Sequence, residues 1–235
     1  GQNLLQLLSR NLNVNGQINA KQLEVVTGAN EYDVTSGKAT AIQGVGAVPT
    51  YAIDSSELGG IYANRISLIA SDQGVGVKML GNVAANGSDF TLSASGKIEL
   101  NNKISAAQNL SVQNNSNVDN NLNINGSLTA KNIALGSADN NQLNIATSNG
   151  SIYADNSLNI NSNQLDISNS VVQSASDAQI NNATQTNLVN TKLNVNNALN
   201  LNSNSLTTQG LSEFSSSGGS LNLTTEQNLS IGDAV

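Results

Sequence analysis

Residues 11–25 read NLNVNGQINAKQLEV, and residues 121–135 read NLNINGSLTAKNIAL. The two align without a gap. Every apolar position is conservatively matched: Leu12 with Leu122, Val14 with Ile124, Ile18 with Leu128, Ala20 with Ala130, Leu23 with Ile133 and Val25 with Leu135. The turn pair Asn15-Gly16 matches Asn125-Gly126, and Lys21 matches Lys131. Within each copy the apolar residues come as apolar-x-apolar dyads. A period of two sends both members to one face of a strand. The residues between dyads are Asn, Ser, Thr, Gln and Gly, which serve turns.

Outward from these copies, dyads recur along nearly the whole chain. Examples are Ile66/Leu68, Phe90/Leu92, Ile98/Leu100, Leu110/Val112, Leu143/Ile145, Leu158/Ile160, Leu165/Ile167, Leu193/Val195 and Leu221/Leu223. The dyads beginning at 98, 110, 122, 133 and 143 are 12, 12, 11 and 10 residues apart. Two such steps, about 20–24 residues, make one coil of a solenoid built from two or three short strands. Helical spacing is not sustained. The one candidate is Leu4, Leu5, Leu7 and Leu8, read as a single turn or a capping segment. The rhythm also lapses at 28–60, which holds Gly28, Tyr32, Gly37, Gly44, Gly46, Pro49, Tyr51, Gly59 and Gly60. That stretch is expected to leave the solenoid, as a hairpin on its flank. The expected fold is all-β, a parallel β-solenoid of about eleven coils.

Composition agrees. Among 235 residues there are 41 Asn and 30 Ser, with 38% apolar and 11% charged residues. Disorder goes with higher charge and fewer aliphatic residues. Asn tolerates the left-handed conformation of tight corners and bonds local backbone. Stacked coils can also place amide over amide, a role expected for a minority of the Asn. Asn is sparse in residues 1–100, with 9, and dense in 101–235, with 32. Dyads cross that shift, so two sequence flavours of one solenoid are expected, 1–93 and 94–235.

Several functions are excluded or weakened. There is no Cys, hence no disulfide and no thiolate metal site. There is no His, the commonest general base and metal ligand. A net charge of −7 argues against nucleic-acid binding. No apolar run is long enough for a membrane-spanning helix. The acids are scattered. Asp155 and Asp166 would approach each other only if a coil were about 11 residues long, and no base stands near them. Gly74-Val-Gly-Val77 lacks the third glycine and following helix of a phosphate loop, and reads as a turn into a strand. Asp139-Asn140-Asn141 and Asp155-Asn156 offer oxygens to calcium, but the nonapeptide calcium-roll repeat is absent. No catalytic, cofactor-binding or metal site is assigned, and no cofactor is expected.

Leu4-Leu-Gln-Leu-Leu-Ser-Arg10, Ala20-Lys-Gln-Leu-Glu-Val-Val-Thr-Gly-Ala-Asn30, Ser56-Glu-Leu-Gly-Gly-Ile-Tyr-Ala-Asn-Arg-Ile66 and Ser71-Asp-Gln-Gly-Val-Gly-Val77 together resemble a known region. It is the haemagglutination-activity region of two-partner-secretion exoproteins, the filamentous-haemagglutinin-like and contact-dependent-growth-inhibition proteins of Gram-negative bacteria. The resemblance covers roughly the first 40% of the chain. It implies a right-handed parallel β-helix, exported through an outer-membrane β-barrel transporter and displayed at the cell surface. The Asn-Pro-Asn motifs of such secretion domains are absent, Pro49 being the only proline. The chain is therefore expected to begin after that signal. In this reading Tyr62 covers an edge of the core, and Arg65 and Lys78 lie on an outer face. The leading function is a structural section of a surface filament supporting adhesion or toxin delivery to neighbouring cells. A carbohydrate- or receptor-binding module, contacting a target-cell receptor or glycan, is the second. A polysaccharide-acting enzyme is the third.

Overall fold

The computed structural model describes residues 3–139 and 142–232. The described chain contains strands and turns and no helix. All inter-coil pairings are parallel, and they sort into three columns, each one face of a solenoid.

Face A carries Leu12–Val14, Tyr51–Ser55, Gly76–Met79, Ile98–Leu100, Asn121–Ile124 and Asn144–Ser148, then 164–168, 185–189, 205–209 and 228–231. Face B carries Ile18–Asn19, Ile61–Ala63, Val83–Ala85, Lys103–Ala106, 127–130, 151–154, Val171–Ser174, Lys192–Val195 and Glu213–Ser216. Face C carries Leu4–Ser9, Gln22–Thr27, Arg65–Ala70, Phe90–Ala94, Asn109–Asn114, 132–135, 157–162, 178–182, 199–203 and 221–225. Ten rungs on two faces and nine on the third stand close to the eleven coils expected. At a strand spacing of about 4.8 Å the rod is about 45 Å long.

Successive coils put Ile53, Val77, Ile98, Leu122, Ile145, Leu165, Thr186, Leu206 and Leu229 in one inward column of face A. These positions are 20 to 24 residues apart, the coil length the dyads indicate. The repeat at 11–25 and 121–135 occupies matching places. Leu12 and Leu122 share the face A column, Ile18 and Leu128 that of face B, and Leu23 and Ile133 that of face C. One apolar cluster runs the length of the axis. Strands also run on around corners, as in Ser151–Ser168, which contributes to all three faces.

Two expectations are corrected. Leu4, Leu5, Leu7 and Leu8 form no helical turn. They lie in the strand Leu4–Ser9, the first rung of face C, in register with Gln22–Thr27. The in-register partners of Leu5 and Leu7 are Leu23 and Val25, both buried in the core. The excursion is also shorter than 28–60. The chain departs at Gly28 and is back in face A at Tyr51–Ser55. Residues 56–60 are a corner of the solenoid. The return strand was hidden because its last inward residue is Ser55, fully buried, rather than an apolar one. Its hydroxyl accepts hydrogen bonds from the Leu80 and Gly81 N–H groups.

The corner from face A to face B shows why Asn is abundant. Asn149, Asn169 and Asn190 have φ of 54°, 47° and 48°, and Gly210 has 62°. Each asparagine's N–H bonds to the next coil: Asn149 to Ser168 O, Asn169 to Val189 O, Asn190 to Gln209 O. Asn190 Nδ2 donates to Asn169 Oδ1 at 3.2 Å, and Asn190 Oδ1 accepts from Leu211 N at 3.1 Å. Asn190→Ala should cost about 1–2 kcal/mol, from left-handed strain and the lost amide bonds. Asn190→Gly should cost less, because glycine removes the strain term. Urea midpoints for the two variants check the order; equal losses would remove the conformational part of the argument.

Candidate functional site

Among the described residues the longest departure from the coil is the excursion, and its anchoring can be built residue by residue. Gly28 leaves the coil with φ of 107°, and a β-carbon there would lie 2.4 Å from Ser71 Oγ. Asn30–Asp33 and Lys38–Ala41 then pair antiparallel. Asp33 closes the turn between them by accepting from Thr35 N at 2.8 Å and from Ser36 Oγ at 2.7 Å. The Ser36 hydroxyl bond, foremost, holds the Asp33 carboxyl below the usual carboxylate range.

The hairpin is fixed to the outer side of face C. Tyr32 OH donates to Glu24 Oε1 at 3.2 Å and accepts from Gln6 Nε2. Desolvation, then the Glu24 charge, push the Tyr32 phenol up. Val26, in register with Leu8 and Ile69, is buried.

A second fixing point lies at the hairpin's base. Arg10 Nε pairs with Asp72 Oδ2 at 2.8 Å, while Asp72 Oδ1 accepts from Ala29 N at 2.8 Å. The loop lies directly on this pair, since a β-carbon at Gly44 would fall 2.1 Å from Arg10 Nη1. Arg10, Ala41, Ile42, Gly44, Val48 and Asp72 are among the residues lining a cleft of about 300 Å³ here. Val45 and Val48 are open to solvent on the loop.

The residues singled out in the sequence fall as follows. Tyr62 is half-buried in the strand Ile61–Ala63, its ring beneath Gly60, where a β-carbon would meet it at 2.6 Å. Arg65 is exposed, with Nη2 donating to Gln22 Oε1 at 3.5 Å. Lys78 is half-buried, its ammonium 5.6 Å from the Tyr51 ring centroid. Gly74 turns with φ of 76° and the strand Gly76–Met79 follows.

Asp155 and Asp166 are not brought together. Asp155 stands at the corner after 151–154, whereas Asp166 is in face A between Ala146 and Asn187. Asp166 accepts from Gln164 Nε2 at 2.7 Å and Asn187 Nδ2 at 2.6 Å. Asn156 Nδ2 donates to Asn132 Oδ1 at 2.8 Å. Asn140 and Asn141 lie outside the described residues. Among the described residues, no group of three or more acidic side chains is placed to hold a metal ion.

Amide ladders run along the corners. Asn156 donates to Asn132, Asn132 to Asn109 at 2.9 Å, and Asn109 to Asp89 at 2.8 Å. A second ladder links Asn202 to Asn181 and Asn181 to Asn161, at 3.0 and 3.1 Å. It borders a corner hollow of about 540 Å³ that also takes in Asn182 and Glu226. There Asn182 accepts from Ser162 and donates to Thr186, whose hydroxyl donates to Ser203. Sequence counting finds the Asn but not their pairing, which depends on coil register. The Arg10–Asp72 pair also escapes sequence reading, because its members stand 62 positions apart.

Comparison with known proteins places this region. Residues 1–100 match the family model of the TPS secretion domain. Over 97 residues, 41% of this chain, it is 45% identical to the "tRNA nuclease CdiA-2" of Burkholderia pseudomallei. Over 98 residues, 42% of the chain, it is 45% identical to the "16S rRNA endonuclease CdiA" of Enterobacter cloacae and 46% to the "tRNA nuclease CdiA" of Yersinia mollaretii. No solved structure matches. Through its first 100 residues the chain is similar to the secretion domain of two-partner-secretion exoproteins. Within that class its likeness is to CdiA. The shared stretch spans about 3% of each relative's length.

Proposed function

We propose that the chain is a rigid section of a surface-displayed exoprotein of a Gram-negative bacterium. It passes the outer membrane through a dedicated β-barrel transporter. Once outside, it holds an adhesive or toxin-bearing segment away from the cell. The observation that carries the reading is the match of residues 1–100 to a TPS secretion domain. The fold is consistent with it. The solenoid continues in register from that region through residue 231, and the strand Phe90–Ala94 straddles the boundary expected between 1–93 and 94–235. Stability in such a stack adds coil by coil, so length is gained without a larger core.

Export is tested in the parent bacterium with the complete gene. Deleting the outer-membrane transporter should abolish surface labelling and protease shaving of the protein, with the chain retained inside the cell. Undiminished surface display without the transporter would overturn the reading.

A further inference from the structure

The exposed aromatic side chain of this chain is Tyr153, 36% accessible on face B, while Tyr32, Tyr51, Tyr62, Phe90 and Phe214 are half-buried or buried. Tyr153 stands in register between Thr129 on the preceding coil and Gln173 on the following one. These three outward side chains form one axial row. The row differs from the amide ladders at the corners. There each side chain is committed to a partner in the next coil, whereas the Thr129 hydroxyl, the Tyr153 phenol and the Gln173 amide make no hydrogen bond among the described residues. The adjacent outward row on the same three rungs is Ser127, Ser151 and Val171, and it continues into Lys103 on the coil before and Lys192 on the coil after. Lys131 and Asp155, of opposite sign, stand beyond the row at the corner.

We infer that this row is a binding platform for an uncharged polysaccharide chain of a target-cell surface, lying along the solenoid axis. Each part of the chemistry selects that ligand. An exposed phenol ring on a flat sheet offers a π-face to the C–H face of a pyranose, and its OH end stays in water. The flanking hydroxyl and amide supply donors and acceptors for ring hydroxyls. Coil spacing of about 4.8 Å is close to the length of one sugar residue, so consecutive sugars meet consecutive rungs. An anionic glycan or nucleic acid would seek clustered Arg and Lys, whereas Lys103 and Lys192 stand four rungs apart and Lys192 pairs with Glu213 at 3.7 Å. A protein partner would seek a wider apolar centre than one ring and one valine.

The test uses the 235-residue chain in solution, without transporter or cells, so it stands or falls separately from the display reading. The probes are a β-1,4-linked glucose hexamer, an N-acetylglucosamine hexamer and a heparin fragment, titrated by calorimetry and by amide NMR. At least one neutral hexamer should saturate, with shifts centred on residues 129, 153 and 173. Tyr153→Ala should weaken it at least about tenfold, equivalent to about 1.4 kcal/mol. Tyr153→Phe should keep affinity within about threefold, since stacking survives. Thr91→Ala, on the outer side of face C, should leave it unchanged. Thermal melts confirm that each variant is folded. The inference is overturned if neither neutral hexamer binds, if only heparin binds, or if folded Tyr153→Ala binds as the parent does.

Discussion

Gly59→Ala should destabilise the chain by more than about 3 kcal/mol, well beyond an ordinary glycine-to-alanine change. A β-carbon at residue 59 would lie 1.8 Å from the carbonyl oxygen of Val14 and 2.8 Å from its carbon. That carbonyl cannot retreat freely, because it accepts from Ser56 N at 3.0 Å. Gly59 N–H in turn donates to Ser56 O at 2.9 Å, closing the corner. The crowding is transmitted to the next coil, where a β-carbon at Gly81 would lie 2.4 Å from Gly59 O. Main chain thus stacks on main chain at this corner, with no flexible side chain to give way. Gly74→Ala is the control. Its φ is 76° but nothing lies within 4 Å, so only left-handed strain of about 1–2 kcal/mol applies. Urea titrations of both variants by far-UV circular dichroism give the comparison. If Gly59→Ala loses no more than Gly74→Ala, the stacked-corner account is wrong.

That corner also shows where the sequence speaks and where it is silent. Dyads such as Leu122/Ile124 and Leu110/Val112 announce faces A and C, because both members are large. Face B pairs a large residue with alanine, as in Ile61/Ala63, Val83/Ala85, Ile104/Ala106, Leu128/Ala130 and Ile152/Ala154. Alanine also occurs freely on surfaces, so the 12-residue rhythm counts two faces and passes over the third. The hairpin at 30–41 was legible from its glycines and the lapse of dyads. Its two fixing points were not, because Arg10–Asp72 and Gln6–Tyr32–Glu24 are brought together only by the register of Leu4–Ser9 on Gln22–Thr27. Tyr153 carries no sequence signal either. It follows inward Ile152 in an ordinary alternation, and only the structure shows that its neighbours leave it uncovered.

The core column of face A gives the other large effect. Leu122 is fully buried, with Ile98 and Ile145 in register on the coils before and after it. Leu122→Ala should cost about 2–5 kcal/mol through lost contacts and a cavity. Leu122→Asp should cost more, since a carboxylate there must be desolvated or protonated without a donor at hand. The column itself shows what a polar residue needs at this depth. Thr186 occupies the same column and is fully buried, yet Asn182 Nδ2 donates to its hydroxyl at 2.6 Å, and that hydroxyl donates to Ser203 Oγ at 3.0 Å. Leu122 has apolar neighbours in both adjacent coils and no such partners. Because each coil contacts chiefly its neighbours, the damage should be local. Amide hydrogen exchange in Leu122→Asp should show lost protection across 98–148, while 185–209 keeps the protection it has in the parent chain. Uniform loss along the whole rod would show a single cooperative unit and refute coil-by-coil stability. Unchanged protection at 98–148 would show that the column is not the core.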